Sequence, residues 1–194
     1  MSGDISRGKR PGLFLDRDGV INRDHGYVCR QENFDFVPGI FELCRVAKAR
    51  DYLIFVITNQ AGIGRGLYTE RDFLALTRWM RLQFERERCP VDEVYFCPTH
   101  PQHGIGKYKC ESRRRKPNPG MIIDAQRDFD VDLASSVLVG DKASDIEAGV
   151  AAGVGCNILF SESLDKTVIS NGLVVHSLAE VQPLLGVHRH DPNR

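Results

Sequence analysis

The 194-residue sequence has no net charge: 26 lysines and arginines balance 26 aspartates and glutamates, and the pI is near 7. A neutral chain sets up no global field that draws in nucleic acid or an anionic membrane, so any attraction for an anion must be local. No stretch resembles a basic, aromatic-rich groove for nucleic acid. No apolar run is long enough to span a bilayer, and Met1 to Pro11 is small and basic without the apolar segment of a secretory signal. The expectation is a cytoplasmic protein with neither a membrane nor a nucleic-acid partner. The six cysteines, at positions 29, 44, 89, 97, 110 and 156, are scattered. Without a secretory signal they read as reduced thiols, not as a disulfide framework. There is no internal repeat and no low-complexity segment. The length supports one core and leaves little for a large inserted lid. The expected organisation is a flexible 1–10, a single domain over 11–186 and a flexible tail over 187–194 that carries His188 and His190, in a monomer.

Three apolar runs each end on an oxygen-bearing side chain: Leu13-Phe14-Leu15 on Asp16, Leu53 to Ile57 on Thr58, and Val137 to Gly140 on Asp141. As strands of one parallel sheet, their carboxyl ends meet at the crevice where open α/β sheets bind ligands. Helical periodicity alternates with these runs, which is the pattern of an α/β, doubly wound, Rossmann-like parallel sheet. Strands are expected over Leu13 to Leu15, Tyr52 to Ile57, Val94 to Phe96, Ser136 to Val139, Val154 to Phe160 and Leu173 to His176. A first helix follows Pro38-Gly39 with Ile40, Leu43, Cys44 and Ala47 on one face, and a second runs from Thr69 and Asp72 to about Arg88. Phe73, Leu76, Trp79, Met80 and Phe84 form the core stripe of that second helix. Asn118-Pro119 is expected to cap a third, with Met121, Ile122 and Ala125 inward; two more cover Ala143 to Ala152 and Leu178 to Leu185. Asp18 to Val37, the Gly-rich Ala61 to Gly66 and Pro98 to Lys116 read as loops.

In LFLDRDGVIN, Asp16 and Asp18 leave the sheet on the same side of an extended chain. Carboxylates that close need a cation or a shared proton. An ionised carboxylate beside a divalent cation can attack phosphorus, while a second carboxyl delivers and removes the proton. On this reading Asp16 is the nucleophile and Asp18 the acid/base. Alone, Asp-x-Asp-Gly is equally well an ordinary turn. The Thr58 hydroxyl and the N–H after it suit the nonbridging oxygens of a phosphoryl group. Lys116 before a helix balances charge, Asp141 serves the metal, and Asp145 orients Lys116 or a bound water from behind. Each signal is weak singly; together, in this order on alternating elements, they point to phosphoryl transfer.

Asp16-Arg17-Asp18-Gly19-Val20, Thr58-Asn59, Lys116 and Gly140-Asp141 with Asp145 resemble the four motifs of the haloacid-dehalogenase-like (HAD-like) phosphohydrolases, across about Leu13 to Ile158. The resemblance implies Asp16 as nucleophile, Asp18 as acid/base, and Thr58 and Lys116 as phosphoryl stabilisers. It also implies Mg²⁺ held by Asp16, the Asp18 backbone carbonyl and Asp141, with Lys142 and Asp145 adjacent; ligands that are all oxygen agree. The short spacing between motifs implies no separate cap domain.

The segments DRDGVINRDHGYV, ITNQAGIGRG, CPTHP and RKPNPGM narrow the likeness to the D-glycero-D-manno-heptose 1,7-bisphosphate 7-phosphatases and, more distantly, the histidinol-phosphate phosphatases. That resemblance implies a small phosphorylated sugar as substrate, contacted by Asp24, His25, Gly26 and Tyr27, by Asn59, Gln60 and Ala61, and by Arg115, which grips the retained phosphate. A guanidinium suits a second dianion. Arg113 and Arg114 read as a solvated basic face. Members of the subfamily commonly carry a zinc loop, but Thr99, Ser112 and Arg114 stand at three of its expected ligand positions. Arginine cannot ligate zinc. The remnant donors Cys97, His100, His103 and Cys110 have irregular spacing, so bound zinc is expected to be absent, with Ile105 and Tyr108 packing the loop instead. Alternatives are a phosphatase of histidinol phosphate or another small sugar phosphate, and a catalytically silent binding module of the same fold.

Overall fold

A computed structural model describes residues 8–163 and 172–186. The flanking segments 1–7 and 187–194, with His188 and His190, lie outside the described residues. Six parallel strands are joined in the order β3-β2-β1-β4-β5-β6: β1 Arg10–Leu15, β2 Leu53–Asn59, β3 Glu93–Cys97, β4 Val131–Gly140, β5 Cys156–Phe160 and β6 Leu173–Val175. The helices are α1 Ile40–Ala49, α2 Ala61–Gly64, α3 Glu70–Arg86, α4 Gly120–Phe129 and α5 Ala143–Ala152. This is the doubly wound parallel sheet that the sequence predicts, and no separate cap stands among the described residues.

Alternation along each strand splits the core. Leu13, Leu15, Ile54, Val56, Val137 and Val139 face α1 and α3, whose Ile40, Leu43, Leu76, Met80 and Phe84 are buried against them. Phe14, Phe55, Ile57 and Leu138 face the other way onto Met121, Ile122 and Ala125 of α4 and Ile146 of α5. A period of two places successive side chains on opposite faces, so both layers come from the same three central strands. Full burial of one such Leu or Phe contributes about 1.5–3 kcal/mol.

Several boundaries move from those the sequence suggests. β4 starts at Val131, five residues before Ser136, because Val131 and Asp132 pair with Arg10 and Pro11 across a register shift. There the Ser136 hydroxyl accepts from Gly12 N at 2.8 Å, so the donor at the irregularity is satisfied. Ala61–Gly64, expected as loop, forms one helical turn. Asn118 does not cap α4: Pro119 occupies that place, and the Asn118 side chain donates to Ser112 O at 3.0 Å. The last helix is a 3-10 segment, Leu178–Leu184, capped by Ser177 and Glu180 and containing Pro183. A proline lacks the N–H that an α-helix needs at that position.

The Thr69–Asp72 capping box opens α3 as expected, and Trp79 packs edge-on against Phe34 at 5.5 Å. Phe34 and Val37 are buried, so the long segment after Asp18 is pinned into the core at its far end. No helix among the described residues is long and apolar enough to cross a membrane.

Candidate active site

β1 and β4 are adjacent where the strand order reverses, and the chain leaves both at the same edge. Asp16 N donates to Val139 O at 3.0 Å, which holds Asp16 directly beside the strand that ends before Asp141. Lys116 arrives from a hundred residues away. Its Nζ donates to Asp16 Oδ1 at 2.7 Å and to Ile57 O at 2.9 Å, and it pairs with Asp145 Oδ1 at 2.7 Å. All three side chains are buried. Asn59 clamps the Lys116 peptide from both sides, accepting from Lys116 N and donating to Lys116 O, each at 3.0 Å. This clamp aims the ammonium at the strand ends.

Burial pushes the Asp16 carboxyl up to about 8; Lys116 opposes the shift, and the Asp145 and Asp141 charges add to it. Burial also raises Asp141, against the pull of Lys142. For Lys116, burial disfavours the charge, but Asp16 and Asp145 outweigh it and its pKa rises. Oxygens of Asp16, Asp141 and Asp145 lie within 4.8 Å of one another. Three crowded carboxylates in a buried place call for positive charge beyond Lys116.

Asp145 is already committed: Oδ1 to Lys116 and Oδ2 to Lys142 N at 3.0 Å. Asp141 is not. Its Oδ1 is buried with no hydrogen-bond partner, while Oδ2 lies 3.3 Å from Lys142 Nζ. Gly19 (φ +101°) abuts that carboxylate, and a Cβ there would sit 2.4 Å from Oδ2. An orphaned buried carboxylate oxygen facing Asp16 is costly unless a cation satisfies it. The oxygen-only donors of Asp16 and Asp141 fit Mg²⁺.

Asp18 is held from several sides. Arg17, 2% exposed, donates from Nη2 to Oδ1 at 2.7 Å and to Oδ2 at 2.8 Å, and Asn22 Nδ2 reaches Oδ1 at 3.1 Å. The Arg17 guanidinium lies 5.6 Å above the Phe73 ring. Gln60 Nε2 donates to Asp18 Oδ2 at 3.0 Å and to Thr58 Oγ1 at 2.8 Å. Asn59 and Gln60, expected as substrate contacts, do line the cavity, but their amides are engaged by protein groups.

The cavity has a volume of about 260 Å³ and is lined by Asp16, Asp18, Asp24, Gly26, Tyr27, Thr58, Ala61, Lys116, Lys142 and Asp145 among others. A hollow of about 440 Å³ beside Arg30 and Trp79 is larger, so chemistry and not size identifies the site. Two expected contacts are not among the lining residues. His25 pairs with Asp35 at 2.7 Å and faces a neighbouring cleft, and Arg115 donates from Nη1 to Thr99 O at 3.1 Å. Conversely Arg17, Tyr68 and Ser144 escaped the sequence reading, the last two as lining residues. For Arg17 a signal existed, a cation between two aspartates; Tyr68 and Ser144 carried none.

A curated relative from Burkholderia mallei, named D-glycero-alpha-D-manno-heptose-1,7-bisphosphate 7-phosphatase, is 58% identical over 91% of this chain and 94% of its own. The chain belongs to the heptose-bisphosphatase family. A Vibrio cholerae relative, named for the beta anomer, is 49% identical over 77% of this chain and 81% of its own. The HAD-hydrolase-like family profile matches residues 113–181. Among solved structures, a putative HAD-like phosphatase from Mesorhizobium loti superposes with a TM-score of 0.84 at 29% identity, covering 100% of this chain and 94% of that one. The heptose 1,7-bisphosphate phosphatase of B. bronchiseptica, complexed with magnesium and phosphate, gives 0.75 at 29% identity, covering 90% and 97%.

In this chain the loop 98–116 is held by its own polar contacts. Tyr108 OH donates to Glu70 Oε1 at 2.6 Å, His100 N to Tyr108 O at 3.0 Å and Ile105 N to Gly64 O at 2.8 Å. Ile105, expected to pack the loop, is instead 65% exposed and contributes through its backbone. The four remnant donors do not form a cluster among the described residues. Cys97 Sγ lies 3.3 Å from Thr99 Oγ1, His100 Nδ1 accepts from His103 N at 3.1 Å, and Cys110 Sγ faces Lys107 O at 3.6 Å. Burial and the Arg115 charge hold the His100 pKa below its usual value. Arg113 and Arg114, expected as a solvated face, converge at 2.7 Å each on Asp124, which is fully buried. Its burial resists ionisation, but the two guanidiniums prevail and its pKa falls. This anchor fixes the backbone immediately before Arg115 and Lys116.

Proposed function

We propose that the chain removes the 7-phosphate of D-glycero-D-manno-heptose 1,7-bisphosphate through an aspartyl-phosphate on Asp16, in a Mg²⁺-dependent reaction and without structural zinc. The observation that supports it most is the buried Asp16–Lys116–Asp145 chain beside the partnerless Asp141 oxygen, set at the strand ends of a chain with a 58% identical relative of that name. Asp16, Asp141 and the Asp18 carbonyl would hold the Mg²⁺. When bound, it would neutralise charge on the carboxylates and on the transferring phosphoryl group.

The remaining steps belong to protein groups. A carboxylate oxygen of Asp16 attacks phosphorus while the bond from phosphorus to the sugar oxygen breaks, and Asp18 gives that oxygen its proton. Lys116 and the Thr58 hydroxyl stabilise the charge that develops on the nonbridging oxygens. Asp18 then takes a proton from water as the water attacks phosphorus, which releases phosphate and restores Asp16. Arg17 suits this cycle, since a fixed cation stabilises Asp18 each time it is ionised.

The α anomer is the favoured substrate on this reading, because the 58% identical relative carries that anomer in its name. Phosphate release from the α- and β-heptose bisphosphates and from histidinol phosphate, each as kcat/KM in the presence of Mg²⁺, tests the proposal. The expected order places the α-bisphosphate first. A preference for histidinol phosphate would replace the substrate assignment and leave the chemistry standing.

A further inference from the structure

We propose that Gln60 and Tyr68 are positioning residues that direct the Thr58 hydroxyl proton into the cavity and hold Asp18 for proton transfer. The inference rests on the roles proposed above for Thr58 and Asp18. Gln60 follows β2 directly, is 1% exposed, and has its backbone tied down by a 2.8 Å bond from its N–H to Cys97 O. Every hydrogen-bonding direction of its amide that matters here is decided by a neighbour. Asp18 already accepts from Arg17 on both oxygens, and with the Tyr68 hydroxyl on Gln60 Oε1 the group 3.0 Å from Asp18 Oδ2 is the Gln60 nitrogen. The same nitrogen then donates its other proton to Thr58 Oγ1 at 2.8 Å. Gln60 Oε1 is left facing Tyr68, whose hydroxyl donates to it at 2.5 Å.

A threonine hydroxyl has one proton and two lone pairs. With a lone pair of Thr58 taken by Gln60, its own proton cannot point back along that bond. It is free for an acceptor in the cavity that Thr58 lines, where the phosphoryl oxygens are to be held. Without the amide, the hydroxyl could spend its proton on the Asp18 side of the site. Tyr68 is held in place for this bond by its packing against Ile63 and Phe73. Its ring lies so close to Gly62 that a Cβ there would be 2.3 Å from Cε1, and burial pushes its phenol pKa up, so it stays a donor.

Gln60→Glu keeps the shape and removes both donated protons. The expected result is a kcat about 10²-fold lower with KM within about threefold, since a misdirected donor to the transition state costs on that order. Tyr68→Phe releases the amide to rotate and is expected to cost about tenfold in kcat. Two readouts separate positioning from mere packing. Partners acting through one another are not additive, so Gln60→Glu should cost less than about tenfold when introduced into Thr58→Val, and Tyr68→Phe should add nothing to Gln60→Leu. An aryl phosphate, whose leaving group needs no proton, should recover part of the loss that passes through Asp18. Additive losses, a loss confined to KM, or a lowered Tm that accounts for the activity would overturn the proposal. If Thr58→Val and Asp18→Asn leave kcat unchanged, the catalytic reading falls and this inference with it. If those two lose activity and Gln60→Glu does not, only the inference falls.

Discussion

On the floor of the crevice Asp16, Lys116 and Asp145 are each at most 5% exposed and joined by 2.7 Å contacts, whereas on its rim Tyr27 is 46% exposed and Arg115 reaches only a loop carbonyl. Asp16 follows the end of β1, Lys116 is clamped by Asn59 of β2, and Asp145 lies in the first turn of α5 just after β4, so their positions are set by the sheet register. Rim groups belong to residues 24–27 and 98–115, which are held by turns and by exposed pairs such as His25–Asp35. A rigid floor suits steps in which a displacement of an ångström is costly. Loops on such a scaffold suit substrate choice, because they change without disturbing the core. On the proposed function, the chemistry is carried by groups held at the strand ends and the substrate preference by the loops.

Substitutions on the two sides should separate accordingly. Asp16→Asn is the largest expected effect: loss of the nucleophile should lower kcat by on the order of 10⁴ or more, with the far-ultraviolet spectrum unchanged. Turnover above a few per cent, after contamination is excluded, would move the nucleophile elsewhere. Lys116→Met leaves Asp16 and Asp145 buried and unpaired, so besides its loss of activity it should cost about 3–5 kcal/mol in denaturant unfolding. An unchanged midpoint would mean that the floor is not held by that ion pair. Asp18→Asn should leave Mg²⁺ affinity nearly intact, because its expected ligand is a backbone carbonyl, and slow the chemical step by about 10² or more.

Rim predictions are smaller. Arg115→Ala should reduce kcat/KM for the heptose bisphosphate by about one to two decades and hardly touch an aryl phosphate that has no second dianion. Equal losses on both would make Arg115 a support of the loop, through Thr99, and blur the division between floor and rim. The smallest expected effect is none: a chelator selective for zinc should change neither activity nor Tm. About one zinc per chain by elemental analysis, lowered by Cys110→Ser, would reverse that reading.

Much of the floor was legible along the chain. Asp16, Thr58 and Asp141 each follow an apolar run, and a strand with a period of two delivers the next residue to the sheet edge with little freedom. Element types were legible for the same reason, apart from the helical turn Ala61–Gly64 and the 3-10 segment Leu178–Leu184, and polarity concealed the start of one strand. In Val131–Gly140 the segment DLASS carries too little apolar pattern to announce its pairing with β1, and that pairing depends on Ser136 satisfying Gly12 N. The partners of the polar groups were less legible. Whether Asn59 and Gln60 face a substrate or a neighbouring residue is undetermined by residue type, since an amide serves either purpose equally.

The sequence by itself determined that Asp16, Thr58 and Asp141 stand at strand ends, because a strand with a period of two delivers the residue after each apolar run to the sheet edge. Only the tertiary structure decided how they are held. Lys116 meets Asp16 across a hundred positions of chain, Arg113 and Arg114 turn from an apparent basic face into an anchor on buried Asp124, and one amide joins Thr58, Asp18 and Tyr68. Hydrogen-bond partners in a buried site are chosen by which unsatisfied groups the fold brings within about 3 Å, and no local pattern encodes that choice.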